Sequence, residues 1–197
     1  MGTRHLICII KNQQYRLAQY GQWDGYYKGQ GLDILHQLCT PDVLDRLRAN
    51  IDLVYMADDD EVERIWCSCG KEPDEEWVSM DVSEKLEKLF PSLSRNTGSR
   101  IISLIAGLSS PNERLPTQDA LTFNQSGSCQ YAYVIDLDQN TFEVYTGHEN
   151  RSGERFSDPN FNPDGSWDGP INHVHTFSLN DLPSDSDFIK ACSGEDD

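Results

Sequence analysis

Short apolar segments near the two ends of the chain predict β-hairpins. Residues 3–11 enclose an unbroken apolar run (LICII), and residues 15–20 return after a polar turn. Residues 130–136 (QYAYVID) alternate between polar and apolar positions, and residues 141–146 (TFEVYT) follow after a second turn. Because alternation places successive side chains on opposite faces of a strand, each pair of segments is predicted to form an antiparallel hairpin.

The middle of the chain has the three- and four-residue apolar spacing of amphipathic helices. Leu32, Leu35 and Leu38 predict a helix that begins after Gly31. Thr40 is followed by Pro and Asp, which predicts a second helix with Thr40 as its N-cap. The same spacing predicts helices over residues 58–66, 82–90 and 97–108, with loops over residues 67–79 and 109–128.

Strands at both ends with helices between them predict an α+β fold. A last strand is predicted over residues 172–178, and the N- and C-terminal strands are expected to share one mainly antiparallel sheet. The helices are expected to pack on one face of that sheet. The pattern predicts a single domain over residues 1–180. An acidic, partly ordered tail follows over residues 181–197, with Phe188 and Ile189 as its candidate anchors.

Charge narrows the classes of partner. The 197-residue chain has 16 Lys and Arg against 33 Asp and Glu, a formal net charge of -17. Such a field repels phosphate groups, so neither nucleic acid nor anionic membrane is an expected partner. A small molecule or another protein remains, as does a purely solubilising acidic surface. The charge does not predict an oligomeric state.

The cysteines and the N-terminal segment favour a cytoplasmic protein. Six Cys are scattered without the spacing of a disulfide framework, and Cys8 and Cys39 fall within apolar segments, as reduced thiols do. The apolar run from Leu6 to Ile10 is too short for a secretory signal, and no run reaches the ~20 residues of a membrane span.

The segment Leu17–Gly31 (LAQYGQWDGYYKGQG) has the composition of a recognition loop. Aromatic side chains alternate there with amides and glycines, whereas core segments and flexible linkers rarely combine them. The motif G-x-W-D-G occurs at residues 21–25 and again at residues 165–169. An alternative is a structural loop whose aromatic rings pack on their own domain. The predicted ligand-binding residues are Gln22, Trp23, Asp24, Tyr26, Gln30, Trp167 and Asp168.

Two segments have spacing suited to metal ions. Oxygen ligands alternate around a Gly in residues 160–168, as in a calcium-binding loop, although a turn-rich loop has the same composition; the candidates are Asn160, Asn162, Asp164 and Asp168. His173 and His175 flank one residue of a predicted strand, so they are expected on one face, where His148 or the thiols of Cys67 and Cys69 could join them around zinc. The alternative is that both histidines are solvated and bind no metal. No cofactor is expected.

The N-terminal segment supplies candidate catalytic residues. Gly2-Thr3 before a buried strand and a hairpin is similar to threonine-type N-terminal nucleophile hydrolases such as proteasome β subunits, and this resemblance covers residues 2–20. It implies that Thr3, once exposed by cleavage, acts as the nucleophile. The chain departs from that pattern where an Asp is expected, at Gln19 and Tyr20, and where a Lys is expected, near Leu35. The catalytic candidates are Thr3, Arg4, His5 and Asp24.

Two motifs together resemble a widespread family of microbial and viral proteins whose function is undescribed. That family opens with MGTR-(His/Asn)-Leu and continues with an AQYGQWDGY-type loop, which this chain matches at residues 1–6 and 18–31. Residues 131–145 and 177–188 are similar to it less specifically. Tyr27 stands where the family's loop would have Pro. The resemblance implies a single domain and no particular chemistry.

Taken together, these features predict a small acidic intracellular domain that binds a planar or peptide-like ligand through residues 22–30. One alternative is a hydrolase of the N-terminal-nucleophile type. A second alternative is an acidic protein-interaction or inhibitor module, whose binding would depend strongly on salt.

Overall fold

The computed structural model describes residues 2–73, 75, 77–147, 155–156 and 171–193. The N-terminal hairpin, the hairpin over residues 131–146 and the helices between them follow the order that the apolar pattern predicts, and one more helix follows the last strand. No helix in these ranges is both long enough and apolar enough to cross a membrane.

A five-stranded mixed sheet forms the centre of the fold. Its strand order is β2-β1-β5-β6-β7, in which only the β1–β5 pair is parallel. Sequence-adjacent strands therefore pair as hairpins, and the N-terminal hairpin is joined to the C-terminal strands through β1. The strands are β1 (His5–Lys11), β2 (Gln14–Gly21), β5 (Tyr131–Asp136), β6 (Thr141–Thr146) and β7 (Asn172–Ser178).

Six α-helices and a small second sheet complete the described part of the chain. The helices are α1 (Leu32–Cys39), α2 (Val43–Asn50), α3 (Asp59–Cys69), α4 (Met80–Leu89), α5 (Arg100–Gly107) and α6 (Asp185–Ser193). Strands β3 (Val54–Met56) and β4 (Leu115–Thr117) pair in parallel. Asp58 Oδ1 accepts a hydrogen bond from Glu61 N at 2.7 Å, which caps α3, and Ser79 Oγ caps α4 in the same way.

The main core lies between the helices and one face of the sheet. Alternate strand residues such as Ile7, Ile9 and Phe142 contact apolar side chains of α1, α2, α5 and α6. The prediction of an α+β fold with helices on one face of a mainly antiparallel sheet is confirmed. The alternate positions on the opposite face, among them Leu6 and Cys8, form a second core cluster that is covered by residues 120–123 and Phe156.

Local boundaries differ from the sequence prediction at several points. Thr40 does not cap α2: it ends α1 in an extended conformation, with ψ 130°, and its hydroxyl donates to the carbonyl of His36. Asp42 instead precedes α2 in the left-handed conformation, with φ 66°. The helix predicted over residues 58–66 continues to Cys69 and ends at Gly70, whose φ of 108° suits glycine.

The stretch predicted as a loop over residues 109–128 contains β4 and a short 3₁₀ helix, Leu121–Gln125. At the other end of the chain, residues 185–193 of the predicted tail form α6. Its Phe188 is fully buried in the main core.

Candidate functional site

The Trp23 loop (residues 22–31) follows β2 and leads through one π-helical turn, Tyr27–Gly31, into α1. Its backbone bonds to itself and to the N-terminal segment. Gly25 N donates to the Thr3 carbonyl at 2.9 Å, and Gln30 N donates to the Asp24 carbonyl at 2.8 Å. Asp24 has a φ of 56°, and Gly29 leaves room for the Asp24 carbonyl that any side chain at position 29 would overlap. The loop is therefore a closed turn and not an open linker.

Residues 91–99 hold the Trp23 loop from outside. Gln22 N donates to the Arg95 carbonyl at 2.9 Å, and Trp23 Nε1 donates to Asn96 Oδ1 at 3.0 Å. Gln30 Oε1 accepts a hydrogen bond from Ser99 N at 2.6 Å. These three bonds attach the loop to residues 91–99 at its beginning and at its end.

Two aromatic side chains of the loop are exposed in this fixed arrangement. Trp23 is 49% exposed and Tyr26 is 42% exposed, so a ligand could reach both rings. Asp24, between them, is exposed as well. Tyr27 instead packs edge-on against Tyr131, with 5.1 Å between ring centroids. Of the aromatic residues in the loop, Trp23 and Tyr26 thus form the accessible surface.

The two amides predicted to bind a ligand are used inside the protein. Gln30 Oε1 is occupied by Ser99 N, and Gln22 Oε1 accepts a hydrogen bond from the hydroxyl of Tyr20. Gly98, with φ 51°, packs against the Gln30 amide, where a Cβ atom would lie 2.5 Å from Oε1. These contacts give Gln22 and Gln30 a role in loop stability, and their role in ligand binding stays a prediction.

His5 lies buried beneath the first turn of the loop. Its imidazole ring packs on the backbone of Gly21, and a Cβ atom at Gly25 would lie 2.8 Å from the His5 Cβ. Neither ring nitrogen has a hydrogen-bonding partner among the described residues. Burial lowers the pKa of His5 to about 4, although the nearby Thr3 carbonyl and the Asp24 carboxylate act in the opposite direction. His5 is therefore a neutral imidazole near pH 7.

The two sequence motifs at the N-terminus pack against each other. Gly2 lies under Trp23, where a Cβ atom would be 2.6 Å from Cε3 of the indole. Thr3 bonds to Gly25, and His5 sits on Gly21. The glycines of the GQWDG motif thus leave space for the residues of the MGTRH motif. Close packing of the two segments explains why glycine stands at positions 21 and 25.

The structure brings together three of the four catalytic candidates. Thr3, His5 and Asp24 lie at the same corner, as the Thr3–Gly25 bond and the electrostatic effect of Asp24 on His5 show. Arg4 lies apart from them, because it acts electrostatically on Tyr20 and on Cys129 in the second core cluster. The placement of Arg4 follows from strand alternation, which turns neighbouring residues to opposite faces.

Two buried polar residues near this corner were not among the sequence candidates. Gln19 Nε2 donates to the Ser92 carbonyl at 3.3 Å, and both side chains are buried. Gln19 Oε1 and Ser92 Oγ have no partner among the residues that the structure describes. The only sequence signal was a polar Gln inside an apolar strand, since nothing in the sequence marks Ser92 as buried.

His173 and His175 do not share one face of β7, as the predicted zinc site would require. A β-bulge at Val174 interrupts the alternation of β7. The ring of His173 therefore packs against Tyr145, whereas the ring of His175 packs against Phe177 in the main core. Within the described ranges, no group of three or more His, Cys, Asp or Glu is placed to hold a metal ion.

The remaining predicted site residues lie outside the described residues. They are His148, the calcium candidates Asn160, Asn162 and Asp164, and Trp167 and Asp168 of the second G-x-W-D-G motif. The two thiols proposed for zinc are on α3: Cys67 Sγ lies 3.7 Å from Glu63 Oε1, and Cys69 is buried beside Leu86.

Comparison with known proteins gave no match. No family model, no curated protein and no solved structure is significantly similar to this chain. The functional argument therefore depends on the site itself.

Proposed function

We propose that this protein is a binding domain for a small planar or peptide-like ligand, and that Trp23 and Tyr26 form its contact surface. One observation carries the proposal: the Trp23 indole is half exposed while its ring nitrogen is held by Asn96 at 3.0 Å. An aromatic ring held in one orientation before binding loses little conformational entropy when a flat group stacks on it.

The surroundings of Trp23 and Tyr26 indicate which ligands this surface would prefer. The exposed carboxylate of Asp24 lies between the two aromatic residues in the chain and accepts hydrogen bonds. The net charge of -17 disfavours anionic ligands. A neutral or cationic ligand with a flat apolar part and an N–H donor therefore suits these residues best, and a peptide bearing an aromatic side chain has this chemistry.

Indole NMR signals test the proposal directly. The four Trp residues give four Hε1–Nε1 signals, which Trp→Phe variants assign. A set of planar amides and short aromatic peptides is titrated, and a saturable shift of the Trp23 signal is expected for some of them. Trp77, which is 84% exposed, is the matched control, because exposure alone would shift it equally.

Variants separate binding from nonspecific contact. Trp23→Ala and Tyr26→Ala are each expected to weaken binding about tenfold, while Trp77→Ala leaves it unchanged. The proposal fails if no probe shifts the Trp23 signal more than the Trp77 signal.

A hydrolase of the N-terminal-nucleophile type is a second candidate, favoured by the proximity of Thr3, His5 and Asp24. Its Thr3 must first become the N-terminal residue, so intact-mass measurement tests it. A chain that begins at Thr3 supports this candidate, and one that begins at Met1 or Gly2 rejects it.

A further inference from the structure

Three buried polar side chains form a cluster beneath the Trp23 loop. His5 and Gln19 lie on the same face of the paired strands β1 and β2, because His5 pairs with Gly21 and Ile7 pairs with Gln19. Such diagonal neighbours have Cα atoms roughly 7–8 Å apart. Gln19 Nε2 bonds to the Ser92 carbonyl at 3.3 Å, which places Ser92 next to Gln19.

Four polar atoms of this cluster have no hydrogen-bonding partner in the described part of the chain. They are Oε1 of Gln19, Oγ of Ser92, and Nδ1 and Nε2 of His5, whose ring interacts with the Thr3 carbonyl without well-formed hydrogen-bond geometry. Each of the three side chains is more than nine-tenths buried. Because unpaired polar atoms in a protein interior are costly, native proteins pair nearly all of them. Four such atoms on three neighbouring residues indicate a bound group.

The chemistry of the four atoms identifies the class of that group. A neutral imidazole offers one donor and one acceptor, Gln19 Oε1 offers an acceptor, and Ser92 Oγ offers either. The charge that acts on the His5 ring is the negative charge of Asp24. None of the four atoms is cationic near pH 7, so the cluster has nothing to compensate an anion. An uncharged group that both donates and accepts is complementary to it.

We propose that His5, Gln19 and Ser92 form a buried subsite for an uncharged carboxamide-like group of the ligand. The same two segments border this subsite and carry the aromatic surface: the Trp23 loop contacts His5 through Gly25, and residues 91–99 contain both Ser92 and Asn96. The subsite rests on the proposed function in one respect, since the flat part of the ligand is then placed on Trp23.

Acetamide and acetate form a matched pair of probes that does not require Trp23. Both have the same shape, but only acetamide is uncharged and donates hydrogen bonds. Acetamide is expected to shift the imidazole signals of His5 in a saturable manner, and acetate at the same concentration is not. Equal shifts from both probes, or no shift from either, overturn the subsite.

Variants test which residues hold the amide. Gln19→Leu and Ser92→Ala are each expected to weaken acetamide binding about fivefold or more, with folding checked by thermal unfolding. Gln14→Leu is the matched control, because Gln14 is exposed on the same strand. If acetamide binds Gln19→Leu and Ser92→Ala as it binds the unaltered protein, the assignment is wrong.

Benzamide distinguishes failure of the subsite from failure of the proposed function. It is expected to bind about tenfold more tightly than acetamide, and Trp23→Ala should remove that advantage. Shifts of His5 without Trp23 would support the subsite and reject the aromatic surface. Shifts of Trp23 without His5 would reject the subsite and leave the aromatic surface standing.

Discussion

The imidazole ring of His5 fills the space that a side chain at Gly21 would need. A Cβ atom at position 21 would overlap Nε2 and Cε1 of the ring. The two residues are also cross-strand partners in the β1–β2 hairpin, so neither backbone can move away without breaking the ladder. Glycine is thus required at position 21 because His5, sixteen positions earlier in the chain, occupies the space of a side chain.

Replacing this glycine should displace the histidine. We expect Gly21→Ala to lower the free energy of unfolding by about 1–3 kcal/mol, the usual cost of overpacking a filled interior. Gly107→Ala is the matched control, because a Cβ atom there meets nothing within 4 Å and alanine favours the helix. Chemical denaturation measures both variants. A Gly21→Ala protein as stable as the unaltered one would show that the ring does not occupy this space.

Burial of neutral His5 should make stability depend on pH. Its pKa is about 4 in the folded protein and 6.5 when unperturbed, so the unfolded chain binds the extra proton between these values. Stability is therefore expected to rise with pH from about 4 to 6.5 and to fall by up to about 3 kcal/mol on acidification through that window.

The dependence of the free energy of unfolding on pH is measured by urea denaturation at several pH values. His5→Asn should remove it, whereas His36→Asn, which changes an exposed histidine, should keep it. Carboxylates with lowered pKa, such as Glu87 and Asp138, lose their contribution mainly below this window. If the pH dependence persists in His5→Asn, other titrating groups cause it.

The hairpins and most helices could be predicted because their signals are local. Residues 130–136 alternate with the period of a strand, and Leu32, Leu35 and Leu38 repeat with the period of a helix. Strands β3 and β4 could not be predicted, because each has three residues and their partner is about sixty positions away. The bulge in β7, which separates His173 from His175, has no sequence signal either.

The candidate site was predictable only in part. Trp23 and Tyr26 are conspicuous in the sequence, since aromatic residues among glycines and amides rarely form a core. The internal hydrogen bonds of Gln22 and Gln30 could not be predicted, because an amide that binds a ligand and one that bonds within the protein look identical in sequence. Gln19 and Ser92 were missed because burial depends on residues distant along the chain.

The C-terminal helix α6 is expected to be essential for stability. Phe188 is fully buried and stacks on Phe142 at 5.9 Å between ring centroids, with Phe177 at 5.3 Å. Phe188→Ala should lower the free energy of unfolding by about 3–5 kcal/mol, as deletion of a buried aromatic ring does. Ser193→Ala, an exposed change in the same helix, should be neutral. A small effect of Phe188→Ala would mean that α6 is a loosely attached tail.

An ionic cluster on the second core face joins Arg155, whose side chain is partly exposed, to two buried carboxylates. The guanidinium donates to Glu143 at 2.6 and 2.8 Å and to Asp136 at 2.8 Å. The hydroxyl of Tyr145 donates to Glu143 at 2.6 Å. Burial opposes ionisation of Glu143, but these hydrogen bonds outweigh it and lower the pKa of Glu143.

Removal of Arg155 should leave this carboxylate pair buried without its cation. We expect Arg155→Met to lower the free energy of unfolding by about 3–5 kcal/mol at pH 7. Arg100→Met, which breaks an exposed pair with Glu87, should cost about 1 kcal/mol or less. Without Arg155, we expect burial to outweigh the remaining hydrogen bonds and to raise the pKa of Glu143. Protonation of Glu143 should then relieve the variant, whereas in the unaltered protein it removes an ion pair. The His5 contribution is the same in both proteins, so the difference between their stabilities narrows toward pH 4. A difference that stays constant with pH would show that packing, and not charge, makes Arg155 important.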